Sequence, residues 1–201
     1  MTYRLYGHIM KKLLLITILS FLVVGCNTTK QLPATAAVIQ PSNLTCKSCI
    51  QEQQKYLNEL FDIANQSPYS MKVDSFGFLE FKGKKYLSLD LVGNTYNTIQ
   101  TTTQTRLSNE FIGKYKTIAS LMLSGTYKNE IDGIRVLLSC SSYNFVSDTY
   151  ATNLQNENLE LFSSQELVSS FIGGDITAQE LINKSLVFIN GQRMSFSLKM
   201  M

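Results

Sequence analysis

The chain has 201 residues, 44% hydrophobic and 16% charged, an ordinary balance for a globular protein. Its formal charge of +3 comes from 18 Lys and Arg against 15 Asp and Glu, yet Arg4, Lys11 and Lys12 precede residue 26 and no acid does. From residue 26 onward the chain is formally neutral, which leaves no basic surplus for binding nucleic acid.

The first element in order is Lys11-Lys12 followed by the apolar run Leu13–Val24, then Gly25 and Cys26. Twelve apolar-rich residues are too few to span a bilayer, which takes about 20, but they suit the hydrophobic core of an export signal led by two cations. The residues Val23-Val24-Gly25-Cys26 resemble the lipobox of bacterial lipoproteins, with Val where Leu is commoner three positions before the cysteine. The resemblance implies cleavage before Cys26 and lipidation of that residue by a thioether-linked diacylglycerol and an N-acyl chain. More than one acyl chain is what stable membrane anchoring needs. Asn27, not Asp, follows the cysteine, which by the same resemblance favours the outer membrane over retention in the inner one. Residues 1–9 form an odd preface, and leave Met1 and Met10 both open as starts.

The segments are thus a signal peptide over 1–25, a lipid anchor and tether over 26–44, and one domain over 45–201. Asn27–Asn43 is rich in Thr, Ala, Asn, Gln and Pro and reaches about 55 Å when fully extended. Removing the signal also removes His8, the single histidine. What remains cannot build a Ser-His-Asp or Cys-His unit or a His-containing zinc site, and its three unlipidated cysteines cannot complete a four-thiolate one. No metal or other cofactor is expected, and glycine-rich phosphate loops, GxSxG elbows and SxxK nucleophiles are absent.

Within the domain, Ile50, Leu57, Leu60, Phe61 and Ala64 recur at helical spacing and predict a helix over Cys46–Asn65, stopped by Ser67-Pro68. Met71–Phe81 and Lys84–Val92 read as a hairpin about Lys82-Gly83, with Leu87, Leu89 and Leu91 alternating against Tyr86, Ser88 and Asp90. Asn94–Thr105 reads as a loop or edge strand. A second helix is expected over Leu107–Ser124, closed by Gly125. Asp132-Gly133 leads into a strand with Ile134, Val136, Leu138 and Cys140 on one face, followed by a polar irregular stretch over Ser141–Asn158 and a short strand at Leu159–Phe162. Ser163 with Glu166, and Thr177 with Glu180, have capping-box spacing and start two short helices. Asn190-Gly191 predicts a type I′ hairpin joining Leu186–Ile189 to Gln192–Leu198. The fold class is α+β: one domain with a mainly antiparallel sheet of about five to six strands, two longer helices and two short ones.

Cys46-Lys47-Ser48-Cys49 is the one chemical motif of the domain. Its spacing at a helix start resembles thioredoxin-like proteins, but neither the preceding core strand nor a later cis-proline loop accompanies it. A structural disulfide, a redox pair, and pairing of one cysteine with Cys140 all stay open. Cys140, alternating with apolar residues, reads as a buried free thiol. The carboxylates are scattered (Asp74, Glu80, Asp90, Glu110, Glu130, Asp132, Asp148), and two at the right separation would suffice for a hydrolase. Tyr143, Phe145 and Tyr150 sit among Ser, Thr and Asn as a candidate binding surface. The expectation is a lipid-anchored envelope protein with a non-catalytic binding, accessory or scaffold role, partnered by the membrane and an envelope protein. Thiol–disulfide exchange and carboxylate-based hydrolysis are the alternatives.

Overall fold

The computed structural model describes residues 54–143 and 154–199, all within one compact unit. Cys26, Cys46, Cys49, Phe145 and Tyr150, with the segments expected as signal and tether, lie outside the described residues. The elements are α1 (Leu57–Gln66), β1 (Met71–Phe81), β2 (Lys84–Asn97), α2 (Thr103–Met122), a 3-10 turn (Thr126–Glu130), β3 (Gly133–Tyr143), β4 (Gln155–Ser164), α3 (Gln165–Gly173), α4 (Ala178–Lys184), β5 (Leu186–Ile189) and β6 (Gln192–Arg193). Six strands form one sheet in the order of the chain. Every neighbouring pair is antiparallel except β2–β3, which is parallel because α2 carries the chain from one end of the sheet back to the other. The domain is α+β.

Two tight turns set the register. Lys82 and Gly83 have φ of 53° and 69°, and Asn190 and Gly191 have 50° and 78°, the paired left-handed residues that a type I′ hairpin requires. Alternation then sorts the strands into two faces. Leu87, Leu89 and Leu91 of β2, Ile134, Val136 and Leu138 of β3, and Leu159 and Leu161 of β4 are 0–1% exposed and share one face. On them lie Leu107, Phe111, Tyr115, Ile118 and Met122 of α2, with Leu60 of α1, Val168 of α3 and Leu181 of α4. Each such side chain contributes about 1.5–3 kcal/mol on leaving water. Two hydroxyls enter this core with partners: Tyr115 donates to Ser163 Oγ at 3.1 Å, and Tyr127 to the Met122 carbonyl at 2.7 Å.

Several boundaries differ from expectation. Helix α2 begins at Thr103, not Leu107, because the Thr102 hydroxyl accepts from Thr105 N–H and caps it. It ends at Met122, and Gly125 is not its stop: φ there is −76°, and a Cβ would overlap the Tyr127 ring. Strand β2 continues through Asn97, pairing Thr95–Asn97 with Ser141–Tyr143 beyond a bulge. Strand β4 begins at Gln155, so its polar first turns are strand, not irregular chain. The cap of α3 is Ser164; Ser163 stays in β4, its hydroxyl 2.7 Å from Ser185 Oγ. The Thr177–Glu180 capping box is present in both halves. Finally, the last hairpin has only Gln192–Arg193 as its second strand. The chain then leaves the sheet, buries Phe196, and docks by Leu198 N–H to Gln179 Oε1 (2.7 Å) and Lys199 N–H to Ser108 Oγ (3.0 Å).

Candidate functional site

The described helices pack on one face of the sheet, and the other face is the candidate site. It carries the residues between the core positions: Leu79 and Phe81 of β1, Tyr86, Ser88 and Asp90 of β2, Arg135 and Leu137 of β3, Glu160 and Phe162 of β4, Phe188 of β5. Phe81 stacks on Phe162 with ring centroids 4.4 Å apart, although three strand spacings, about 14 Å in a flat sheet, separate β1 from β4. Side chains that stand off a sheet meet across that distance when the sheet curls toward them, so this face is concave. Phe188 meets both rings edge-on, at 6.1 Å from Phe81 and 5.9 Å from Phe162, and Tyr86 meets Phe162 at 5.2 Å. These edge-to-face and offset contacts are the favoured aromatic arrangements.

Above the aromatic floor opens a cavity of about 540 Å³, bounded by Gly77, Leu79, Arg135, Glu160, Phe162 and Phe188. Its rim on the β1 side is a bulge. Between Lys72 and Gly77 the strand carries extra residues, held by Ser75 Oγ, which donates to the Lys72 carbonyl (2.6 Å) and accepts from Asp90 N–H (2.9 Å). Arg135 forms the polar end. Its Nε donates to Glu160 Oε1 at 2.6 Å, and its Nη1 donates to Ser88 Oγ at 2.9 Å and to Asp90 Oδ1. The three ionised side chains are only 14–21% exposed, so their pairing is partly shielded from solvent. Both carboxylates are tied to one guanidinium, which offsets one of their two charges. Further along the same face the surface turns polar, with Ser139, Ser141, Asn156 and Asn158 around a recess of about 200 Å³.

A second polar cluster lies inside the helix-covered layer. Arg106 of α2 grips Glu157 of β4 through Nε (2.7 Å to Oε2) and Nη2 (2.5 Å to Oε1), with Thr103 Oγ1 donating to Oε1 at 2.8 Å. The guanidinium beside Glu157 holds its carboxyl below the ordinary carboxylate range, against the opposing effect of burial. Glu110 is also buried, which works against its charge. Lys114 at 2.6 Å, the Asn94 N–H and the Tyr96 hydroxyl outweigh that and hold it low. Gly93 makes room for this carboxylate, since a Cβ there would overlap the Ser139 carbonyl and crowd Glu110. Cys140 lies between the two acids, its Sγ 3.7 Å from Glu157 Oε2. It is free and buried, as expected, and burial together with the two carboxylates pushes its thiol up to about 12. Such a thiol is a poor nucleophile.

Of the residues singled out from sequence, Tyr143 ends β3, where its carbonyl accepts from Thr98 N–H (2.9 Å) and Thr98 Oγ1 (3.1 Å). It shares the parity of Arg135 along β3 but does not line the cavity. Phe81, Phe162, Phe188 and Arg135 escaped notice because they lie on four different strands. The signal was present in their parity, since each alternates with core residues and therefore faces away from the helices. Among the described residues no group of three or more His, Cys, Asp or Glu could hold a metal ion, and no helix is long and apolar enough to cross a membrane. Comparison with protein-family models, with curated proteins and with solved structures found no match to this chain.

Proposed function

We propose that this chain is a lipid-anchored protein of the bacterial cell envelope whose domain works by binding, in an accessory or scaffold role, through the concave face of its sheet. The anchor rests on Lys11–Cys26, and the outer-membrane preference on Asn27. The binding role rests on one observation above all: a cavity of about 540 Å³ that combines three phenylalanines with a fixed Arg–carboxylate cluster on a sheet face that none of the described helices covers. Ligand sites have this volume and this composition, mostly apolar walls with a few placed polar groups.

Two measurements test the reading. Intact mass of the protein purified from membranes is expected to show a chain beginning at acylated Cys26; an unmodified cysteine or a retained signal refutes the anchor. A photoreactive residue at Leu79, on the cavity wall, is expected to capture a defined envelope partner in cells. The same residue at Lys116, on the exposed side of α2, is not. Equal capture at both positions, or no capture at position 79 together with no small-molecule binding in the cavity, refutes the role of the concave face.

A further inference from the structure

The charge around the cavity is lopsided. Asp74 and Glu160 line it and Asp90 backs it through Arg135, so three carboxylates meet one guanidinium. Arg135 engages one oxygen of Asp90 and one of Glu160; no described residue donates to Asp90 Oδ2 or Glu160 Oε2. Glu160 lines the cavity together with the Phe162 and Phe188 rings, whose faces carry the negative part of the aromatic quadrupole and attract cations. The chain already uses one such face: the Lys82 ammonium lies 5.4 Å from the Phe81 centroid, on the turn side. Lys72, Lys84 and Arg193 share the sheet face by register, but all three are exposed, and their long stems carry the charge to water.

Resting on the binding role proposed above, we infer that the cavity recognises an organic cation, an ammonium or guanidinium on an apolar body. The carboxylates Glu160 and Asp74 take the charge, and Leu79, Phe162 and Phe188 take the body. The Arg135 clamp orients Glu160 and limits the local surplus of negative charge. The cation has two sources, a free amine or a basic side chain of a partner protein.

The test uses the full lipidated chain in lipid nanodiscs, with empty nanodiscs as blank. Titration calorimetry compares three probes of one shape, phenethylammonium, 2-phenylethanol and 3-phenylpropionate, with a capped Phe-Lys-Phe peptide as the fourth arm. The cation or the peptide is expected to bind about fivefold or more tightly than the alcohol, and the carboxylate more weakly still. Binding of phenethylammonium assigns the free amine as source; binding of the peptide alone assigns a protein side chain. Asp74→Asn, at an exposed position outside the Arg135 clamp, is expected to weaken the cation and leave the alcohol unchanged. Glu160→Gln is expected to do the same, and Phe188→Ala to weaken both. A carboxylate or alcohol that binds as tightly as the cation overturns the inference, and leaves the binding role standing. No binding by any probe overturns it too, and if position 79 also captures no partner the binding role falls with it.

Discussion

Replacing Arg106 by Met removes the charge of the guanidinium and keeps much of the side-chain volume. In the native protein that group donates twice to Glu157, and again to the Thr101 carbonyl and to the hydroxyls of Thr101 and Thr103. The side chains of the ion pair are 4% and 9% exposed, so water cannot replace the lost donors without opening the layer between α2 and β4. The Glu157 carboxylate would keep one donor of normal length, Thr103 Oγ1 at 2.8 Å, and the weak thiol of Cys140. Deleting one partner of a buried pair costs about 3–5 kcal/mol, chiefly because the other charge is left uncompensated. For a domain of this size each kcal/mol moves Tm by about 2–4 °C, giving a fall of about 6–20 °C.

The control is the double replacement Arg106→Met with Glu157→Leu. If the penalty comes from a stranded carboxylate, removing it restores much of the loss, and urea unfolding places the double variant above Arg106→Met alone. A single variant within about 1 kcal/mol of the parent, or a double variant less stable than the single, would refute the reasoning.

Acid should act on the same pair. A carboxyl held low by folding stabilises the protein above its unfolded value, 4.5 for Glu157, and that contribution is lost as pH falls through the lower folded value. The urea midpoint is therefore expected to change little from pH 7 to 5 on account of this group and to drop below about 4.5, with a shallower drop in the double variant. Gly93→Ala should cost about 2 kcal/mol or more, because the new methyl overlaps the Ser139 carbonyl. Gly191→Ala meets no atom and should lose only about 1–2 kcal/mol, from placing a Cβ at φ of 78°; chemical denaturation of the two variants checks the order. Cys140, buried and with its thiol raised to about 12, should resist iodoacetamide at pH 8 in the folded protein and react after unfolding, read by mass of its peptide.

Much of the fold is legible from local chemistry. Lys82-Gly83 and Asn190-Gly191 fix their turns because only left-handed residues close a two-residue hairpin without splaying its strands. Alternation of Leu87, Leu89 and Leu91 assigns a buried face, and the Thr177–Glu180 spacing marks a helix start. What is not legible depends on distant partners. Gln155–Asn158 is polar and reads as irregular chain. It becomes strand because Glu157, facing the core, meets Arg106 51 residues earlier in sequence. Likewise Thr103–Thr105 reads as loop or edge strand until the partner of Arg106 is known. In both places a buried ion pair converts a polar segment into a packed one, and no window of sequence contains both of its ends.

The concave face was hidden for a related reason. Parity alone puts Tyr86, Ser88, Asp90 and Arg135 on the side of the sheet away from the helices, and that side is expected to be wetter. Parity does not say which strands become neighbours, nor that the sheet curls enough to bring Phe81 onto Phe162. A flat sheet with the same residues would present scattered aromatics and a surface ion cluster, which calls for no function. Curling converts them into a walled cavity and shields Arg135, Asp90 and Glu160 from most solvent. Partial burial strengthens each charge–charge contact, and it also raises the cost of leaving the remaining carboxylate oxygens without donors. The twist of this sheet and the register of β1 against β2 thus decide whether these residues are ornament or site. A variant that flattens the β1 bulge, such as Ser75→Val, should weaken ligand binding even though Ser75 offers the ligand no charge.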